Sequence, residues 1–136
     1  MKITTAWLKK TGACEEAQTE WAARKLRSMD VVKCARLLIA EGKFDWANWL
    51  VAHVLKRKGQ IRYAIFAAEQ CPQDAAGKAA IEAARAVLRH DTSKTRYAAG
   101  YAWAAGAVAG TAGAAAGDTT LTKILEYGIK LLEDKA

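Results

Sequence analysis

Residues 97 to 117, YAAGYAWAAGAVAGTAGAAAG, run for twenty-one positions without a charge, long enough as a helix to cross a bilayer. The content of the segment argues against that use. Eleven alanines and five glycines fill it, Val108 is its only large aliphatic residue, and alanine and glycine insert far less readily than leucine or isoleucine. Each glycine disfavours a helix interior by about 1 kcal/mol relative to alanine, so five of them require an offsetting gain, for which close packing is the natural source. Gly106 and Gly110, then Gly113 and Gly117, lie four apart and would present flat strips to a neighbouring backbone. The expectation is a mostly buried helix from 97 to about 112, wrapped by Trp46, Trp49, Phe66, Leu88 and Leu125, with Tyr97 and Tyr101 nearer the surface. The alternative is a frayed segment, broken by its glycines near 113 to 117. No membrane partner is expected.

With 136 residues the chain reads as one domain, residues 1–136, able to bury roughly 70% of its unfolded surface. A single proline, Pro72, abundant alanine and little β-branched alternation predict an all-α fold without a sheet. MKITTAWLKK has no apolar stretch of signal-peptide length before Lys9 and Lys10, and Cys14, Cys34 and Cys71 form no close pair. Both features suit a cytoplasmic protein. The net charge of +7 is carried by the first half: residues 1 to 66 hold 13 Lys/Arg against 6 Asp/Glu, and residues 67 to 136 hold 8 of each.

Capping residues and apolar periodicity divide the chain into seven or eight helices with short connections, a compact array. Thr4 or Thr5 caps a first helix over Ala6 to Lys10, ended by Gly12; a second spans Ala13 to Met29 with Cys14, Ala17, Trp21 and Ala22 inward. Asp30 caps a third to Glu41, with Val31, Cys34, Ala35, Leu38 and Ile39 inward, and Gly42 closes it. Asp45 caps a fourth through Leu55, whose shared face of Trp46, Trp49, Leu50, His53 and Val54 predicts the centre of the core. The basic turn Lys56-Arg57-Lys58-Gly59 leads to a fifth helix over Gln60 to Gln70, with Ile61, Ala64, Ile65 and Ala68 inward. Gly77 to Arg89 forms a sixth. Asp118 caps the last, to Glu133, with Leu121, Ile124, Leu125, Gly128 and Leu132 inward.

DWANWL (45–50), RYAIFAAEQ (62–70), AAIEAARAVL (79–88) and ILEYGIKLLE (124–133), with GACEE at 12–16, give the chain a resemblance to a family. It resembles small helical immunity and phage accessory proteins, over most of its length and including an alanine-rich, tyrosine-bearing segment before the last helix. The connection after AAEQ, CPQDAAGK, is shorter than that pattern, and the alanine-rich stretch holds more glycine. What the resemblance implies is neutralisation of a toxin or defence-system component by binding, with no reaction and no site defined.

The residues themselves point to no catalytic, metal or cofactor chemistry. Cys14, Cys34, His53 and Cys71 have the composition of a zinc site, but their spacings of 20, 19 and 18 contain no C-x2-4-C element. Buried thiols and a core histidine are the expectation. A Cys14–His53 nucleophile pair oriented by Asp45 lacks support because Asp45 is already accounted for as a cap. Lys56, Arg57, Lys58 and Arg62 form the densest basic cluster. Arg24, Lys25 and Arg27 extend it, and Lys9, Lys10, Lys33 and Arg36 add to it if the first helices face the same way. The expected function is therefore non-enzymatic binding of an acidic protein partner through this surface. Sequence-independent nucleic-acid binding is the alternative, although the basic residues are not interleaved with aromatics and no helix-turn-helix, zinc-finger or RNA-binding signature is visible. The five tryptophans, 7, 21, 46, 49 and 103, read as core.

The glycine strip carries its own test. Gly106→Leu and Gly110→Leu should each overpack the interior by about 1–3 kcal/mol and lower the melting temperature. Unchanged melts in both variants would mean that the strip touches nothing.

Overall fold

The first three residues after Met1 do not wait for a helix; they pair with residues far along the chain. In the computed structural model, which describes residues 1–70, 75–90 and 118–134, β1 (Lys2–Thr4) runs antiparallel to β2 (Ser28–Asp30). Ile3 stands opposite Met29 and Lys2 opposite Asp30. The described elements continue as α1 (Thr5–Lys10), α2 (Glu15–Ala23), α3 (Val31–Ala40), α4 (Phe44–Val54), α5 (Arg57–Glu69), α6 (Ala75–Arg89) and α7 (Asp118–Glu133). The fold is all-α with one small two-stranded sheet. The expectation of no sheet is corrected, because three-residue strands are too short for alternation to show, and Ile3 and Thr4 read equally well as the lead-in to a helix.

The same pairing shortens the second helix, which ends at Ala23 and not at Met29. Ser28, Met29 and Asp30 must be extended to pair with β1, and Asp30 must also keep an extended backbone (φ −61°, ψ 140°) to cap α3. Only Trp21 of the expected inward set on α2 is buried; Ala17 is half-buried, and Cys14 and Ala22 are exposed. The indole N–H of Trp21 donates to Thr5 Oγ1 at 3.1 Å, tying α2 to α1.

Helix starts and stops follow local chemistry. Thr4 Oγ1 accepts the Trp7 N–H at 3.1 Å, and an Asp30 carboxylate oxygen accepts those of Val32 and Lys33 at 3.0 and 3.3 Å. α1 and α3 end in the same Schellman motif: Gly12 N–H reaches Lys9 O and Ala13 N–H reaches Leu8 O, while Gly42 N–H reaches Ile39 O and Lys43 N–H reaches Leu38 O. Gly12 and Gly42 supply the left-handed φ of +74° and +73° that this stop requires. α4 and α5 begin earlier than expected, at Phe44 and Arg57. Asp45 therefore lies inside the first turn of α4, and the basic run becomes the opening of α5 in place of a turn.

Two compact units emerge, Met1–Val54 and Leu55–Ala136. In the first, α3 packs on α4 and Ile3, Ala35, Ala47 and Val51 are almost wholly enclosed. The buried stripe of α4 is Ala47, Leu50 and Val51; Trp46 and Trp49 are half-buried beside it and His53 is exposed, which moves the expected core centre by one residue around the helix. In the second unit α5 packs against both α6 and α7. Ile61, Ile65 and Ala68 meet Ile81, Ala84 and Val87, and Phe66 stacks on Tyr127 at 4.1 Å. The face of α7 buries Ile124, Leu125, Gly128, Ile129 and Leu131, with Leu121 and Leu132 half-buried. The expected buried helix from 97 to about 112, with Gly106, Gly110 and Trp103, lies outside the described residues. So does Cys71.

Lys25 follows the end of α2 where the other two stops have glycine, and it carries φ 55°. A side chain with a Cβ is disfavoured there by about 1 kcal/mol. Lys25→Gly should therefore raise stability by about 0.5–1 kcal/mol in denaturant unfolding, whereas Lys25→Ala, which keeps the Cβ, should give no such gain.

Candidate functional site

The candidate basic residues fall into both units. Lys56 is the N-cap position of α5 and has no side-chain capping bond; Arg57 and Lys58 occupy the first turn, which contains no acidic residue, and Arg62 follows Lys58 by one turn on the same face. All four side chains are exposed. Lys56, Lys58 and Arg62 have no acidic partner among the described residues, and Arg57 engages within the chain. A row of cations at a helix N-terminus opposes the helix dipole, and a like-charged pair one turn apart adds repulsion. The first turn thus presents cations and backbone N–H groups together, a pairing suited to an anion.

Arg24, Lys25 and Arg27 belong to the first unit. Lys25 and Arg27 are exposed and have no acidic partner among the described residues. Arg24 is engaged. Its guanidinium forks onto Glu41, Nη1 to Oε1 at 2.9 Å and Nη2 to Oε2 at 2.6 Å, and also holds Glu20. Lys43 bridges the same two carboxylates, bonding Glu20 and lying 3.7 Å from Glu41, with its Nζ 4.7 Å from the centre of the Trp46 ring. Glu20 and Arg24 are an i,i+4 pair, readable from spacing alone; Glu41 and Lys43 reach them only through the tertiary fold. The network therefore withdraws Arg24 from the free basic surface.

Beside this network the first unit contains a cavity of about 340 Å³. Ile3, Leu8, Trp21, Cys34 and Leu50 line its buried parts, Trp46 and Trp49 are half-buried in its wall, and Glu20, Arg24 and Asp45 bring polar groups to it. The sequence distributes these residues over four expected helices and the segment before the first, and gives no signal for the space between them. Cys34 is buried, and burial pushes its thiol up from the ordinary value; Cys14 is exposed. His53 is also exposed: its ring stacks on Trp49 at 4.1 Å and Nδ1 lies 2.8 Å from Trp49 O. The expectation of buried thiols and a core histidine holds for Cys34 and is corrected for Cys14 and His53. Among the described residues no group of three or more metal-ligating side chains converges, and no described helix is long and apolar enough to cross a membrane.

The network has a definite pH signature. Hydrogen bonds from Lys43 and then Arg24 hold the Glu20 carboxyl below the usual carboxylate range, and Arg24 does the same for Glu41. A carboxyl whose folded pKa is depressed contributes stability above its unfolded value, here 4.5, and loses that contribution as pH falls through the folded pKa. Arg24→Gln should therefore be less stable than the native chain at pH 7, with the gap closing as the pH drops below about 4.5 and shrinking in high salt. Urea unfolding at several pH values reads this directly. Searches of protein families, curated proteins and solved structures find no match to the chain.

Proposed function

We propose that the chain is a non-enzymatic binding protein whose α5 N-terminal cations grip an acidic protein surface, as an immunity or phage counter-defence factor grips a toxin or defence component. One observation carries this reading: Lys56, Lys58 and Arg62 are exposed, without acidic partners among the described residues, at a helix start that has no side-chain cap. The arrangement disfavours the isolated helix and becomes favourable when carboxylates arrive. The net charge of +7 would speed encounter with an acidic partner over longer range. Lys25 and Arg27 of the first unit are secondary candidates. The motifs GACEE, DWANWL and ILEYGIKLLE support the counter-defence role through the resemblance they carry.

The same chemistry would accept a phosphate, so sequence-independent nucleic-acid binding is the second reading. Salt dependence separates the two. Retardation of random duplex or single-stranded DNA that falls steeply between roughly 50 and 200 mM salt would favour nucleic acid.

Changing Lys56, Lys58 and Arg62 together to glutamate, with Arg57 left in place, should move binding and stability in opposite directions. Capture of a protein partner from nuclease-treated lysate should be lost, while the melting temperature should hold or rise, since acidic residues at 56 and 58, in the cap and first turn, suit the helix N-terminus by about 0.3–1 kcal/mol each. A variant that melts higher and still captures the partner would overturn the reading.

A further inference from the structure

The cavity in the first unit is independent of the α5 cluster and has the opposite electrostatic character. Its volume, about 340 Å³, is roughly twice the ~150 Å³ that admits a benzene ring, and it opens to solvent past Gly12, Arg24 and Asp45. Gly12, Ala13 and Ala17 contribute to its lining with side chains too short to fill it, while Trp46 and Trp49 supply broad aromatic surface. Such a space suits an apolar body of one or two rings.

The charges choose the ligand's head group. Arg24 and Lys43 each bond or face both Glu20 and Glu41, so the two cations and two carboxylates neutralise one another. Asp45 also lines the cavity; it is exposed and has neither a hydrogen bond nor an ion pair among the described residues. On a chain of net charge +7 this rim is left with one net negative charge. Among the described residues that line the cavity, a carboxylate-bearing ligand such as a fatty acid would meet no cation but Arg24, already held by Glu20 and Glu41, and would face Asp45. A ligand with a protonated amine would pair with Asp45 while its apolar body filled the cavity. The Trp46 ring already holds one ammonium, that of Lys43, so the indole surface at this rim tolerates a cation.

We propose that the cavity bounded by Trp21, Trp46, Trp49 and Leu50 is a binding site for a small aromatic amine, with the Asp45 carboxylate taking the ammonium group. The test is calorimetric titration of the whole chain with three probes of one shape: naphthylethylammonium, naphthylacetate and ethylnaphthalene. The amine should bind saturably and about tenfold or more tighter than the acetate. Asp45→Asn, at an exposed position, should bring the amine down to the level of the neutral probe, and Ala17→Phe should block all three by filling the cavity. Equal binding of the acetate, an unchanged amine affinity in Asp45→Asn, or no saturable binding of any probe would each overturn the proposal. None of these outcomes bears on partner capture by α5, so the two readings fail separately.

Discussion

The pairing of residues 2–4 with residues 28–30 is the constraint on which the first unit depends. Each strand ends on the residue that caps the next helix, Thr4 for α1 and Asp30 for α3, so one short antiparallel match sets the starting point of two helices. The Val31 N–H donates to Met1 O at 3.0 Å, and the chain's amino group lies 3.8 Å from the Asp30 carboxylate, which closes the far end of the pair. Two three-residue strands alone would be marginal in water. Ile3 supplies what the ladder lacks: it is 1% exposed and packs into the interior that α3 and α4 enclose. Because Ile3 and Met29 also line the cavity, the pairing positions part of the proposed binding site.

A second dependence runs through the helix ends. α2 must stop by Ala23 for Ser28 to reach β1, and that stop leaves Arg24 at the helix C-terminus, where a cation is favoured. α3 stops at Ala40 and leaves Glu41 and Lys43 flanking Gly42. The Arg24–Glu41 fork is thus a meeting of two helix ends, and Glu20, one turn before Arg24, joins it without further adjustment. Half-exposed pairs of this kind add little individually, and a shared four-residue network in bidentate geometry is the form in which they contribute most. The same network places the Lys43 ammonium over the Trp46 ring at the edge of the cavity.

Much of this was legible in the sequence where chemistry is local. Thr4, Asp30, Gly12 and Gly42 were readable as caps and stops because the same residues perform those tasks in any helix. The sheet was not legible, since its pairing joins residues about 26 apart in the chain and its strands are shorter than any periodicity can register. The face of α4 was misjudged for a geometric reason. Trp46, Trp49 and His53 form one helical stripe and the buried Ala47, Leu50 and Val51 the adjacent one, and large side chains weigh more than small ones in reading periodicity. Packing favoured the smaller residues inside, because α3 lies close against α4 and enclosed Ala35 and Ala47 leave no room there for an indole. The network joining Glu20, Arg24, Glu41 and Lys43 was half legible, as its i,i+4 member only.

The basic run at 56–58 was misread as a turn for a reason that bears on function. Three described helices open with chemistry that suits their dipole: Glu15 and Glu16 in the first turn of α2, the Asp30 cap of α3, Asp45 in the first turn of α4. Lys9 and Lys10 close α1, Arg89 closes α6 and Lys130 lies in the last turn of α7, again in the favoured sense. α5 is the described helix that opens on a run of cations, and it holds together because Ile61, Ile65 and Ala68 are anchored against α6. Packing therefore stabilises a helix whose exposed start is electrostatically unfavourable. A sequence free to choose any polar residue at those exposed positions would gain from acidic ones or from a serine or aspartate cap, and nothing in the packing of α5 demands lysine. A local rule broken on the surface and kept at α2, α3 and α4 is the pattern expected of a functional or strained site, and the proposed acidic partner would supply the negative charge that the start of α5 lacks.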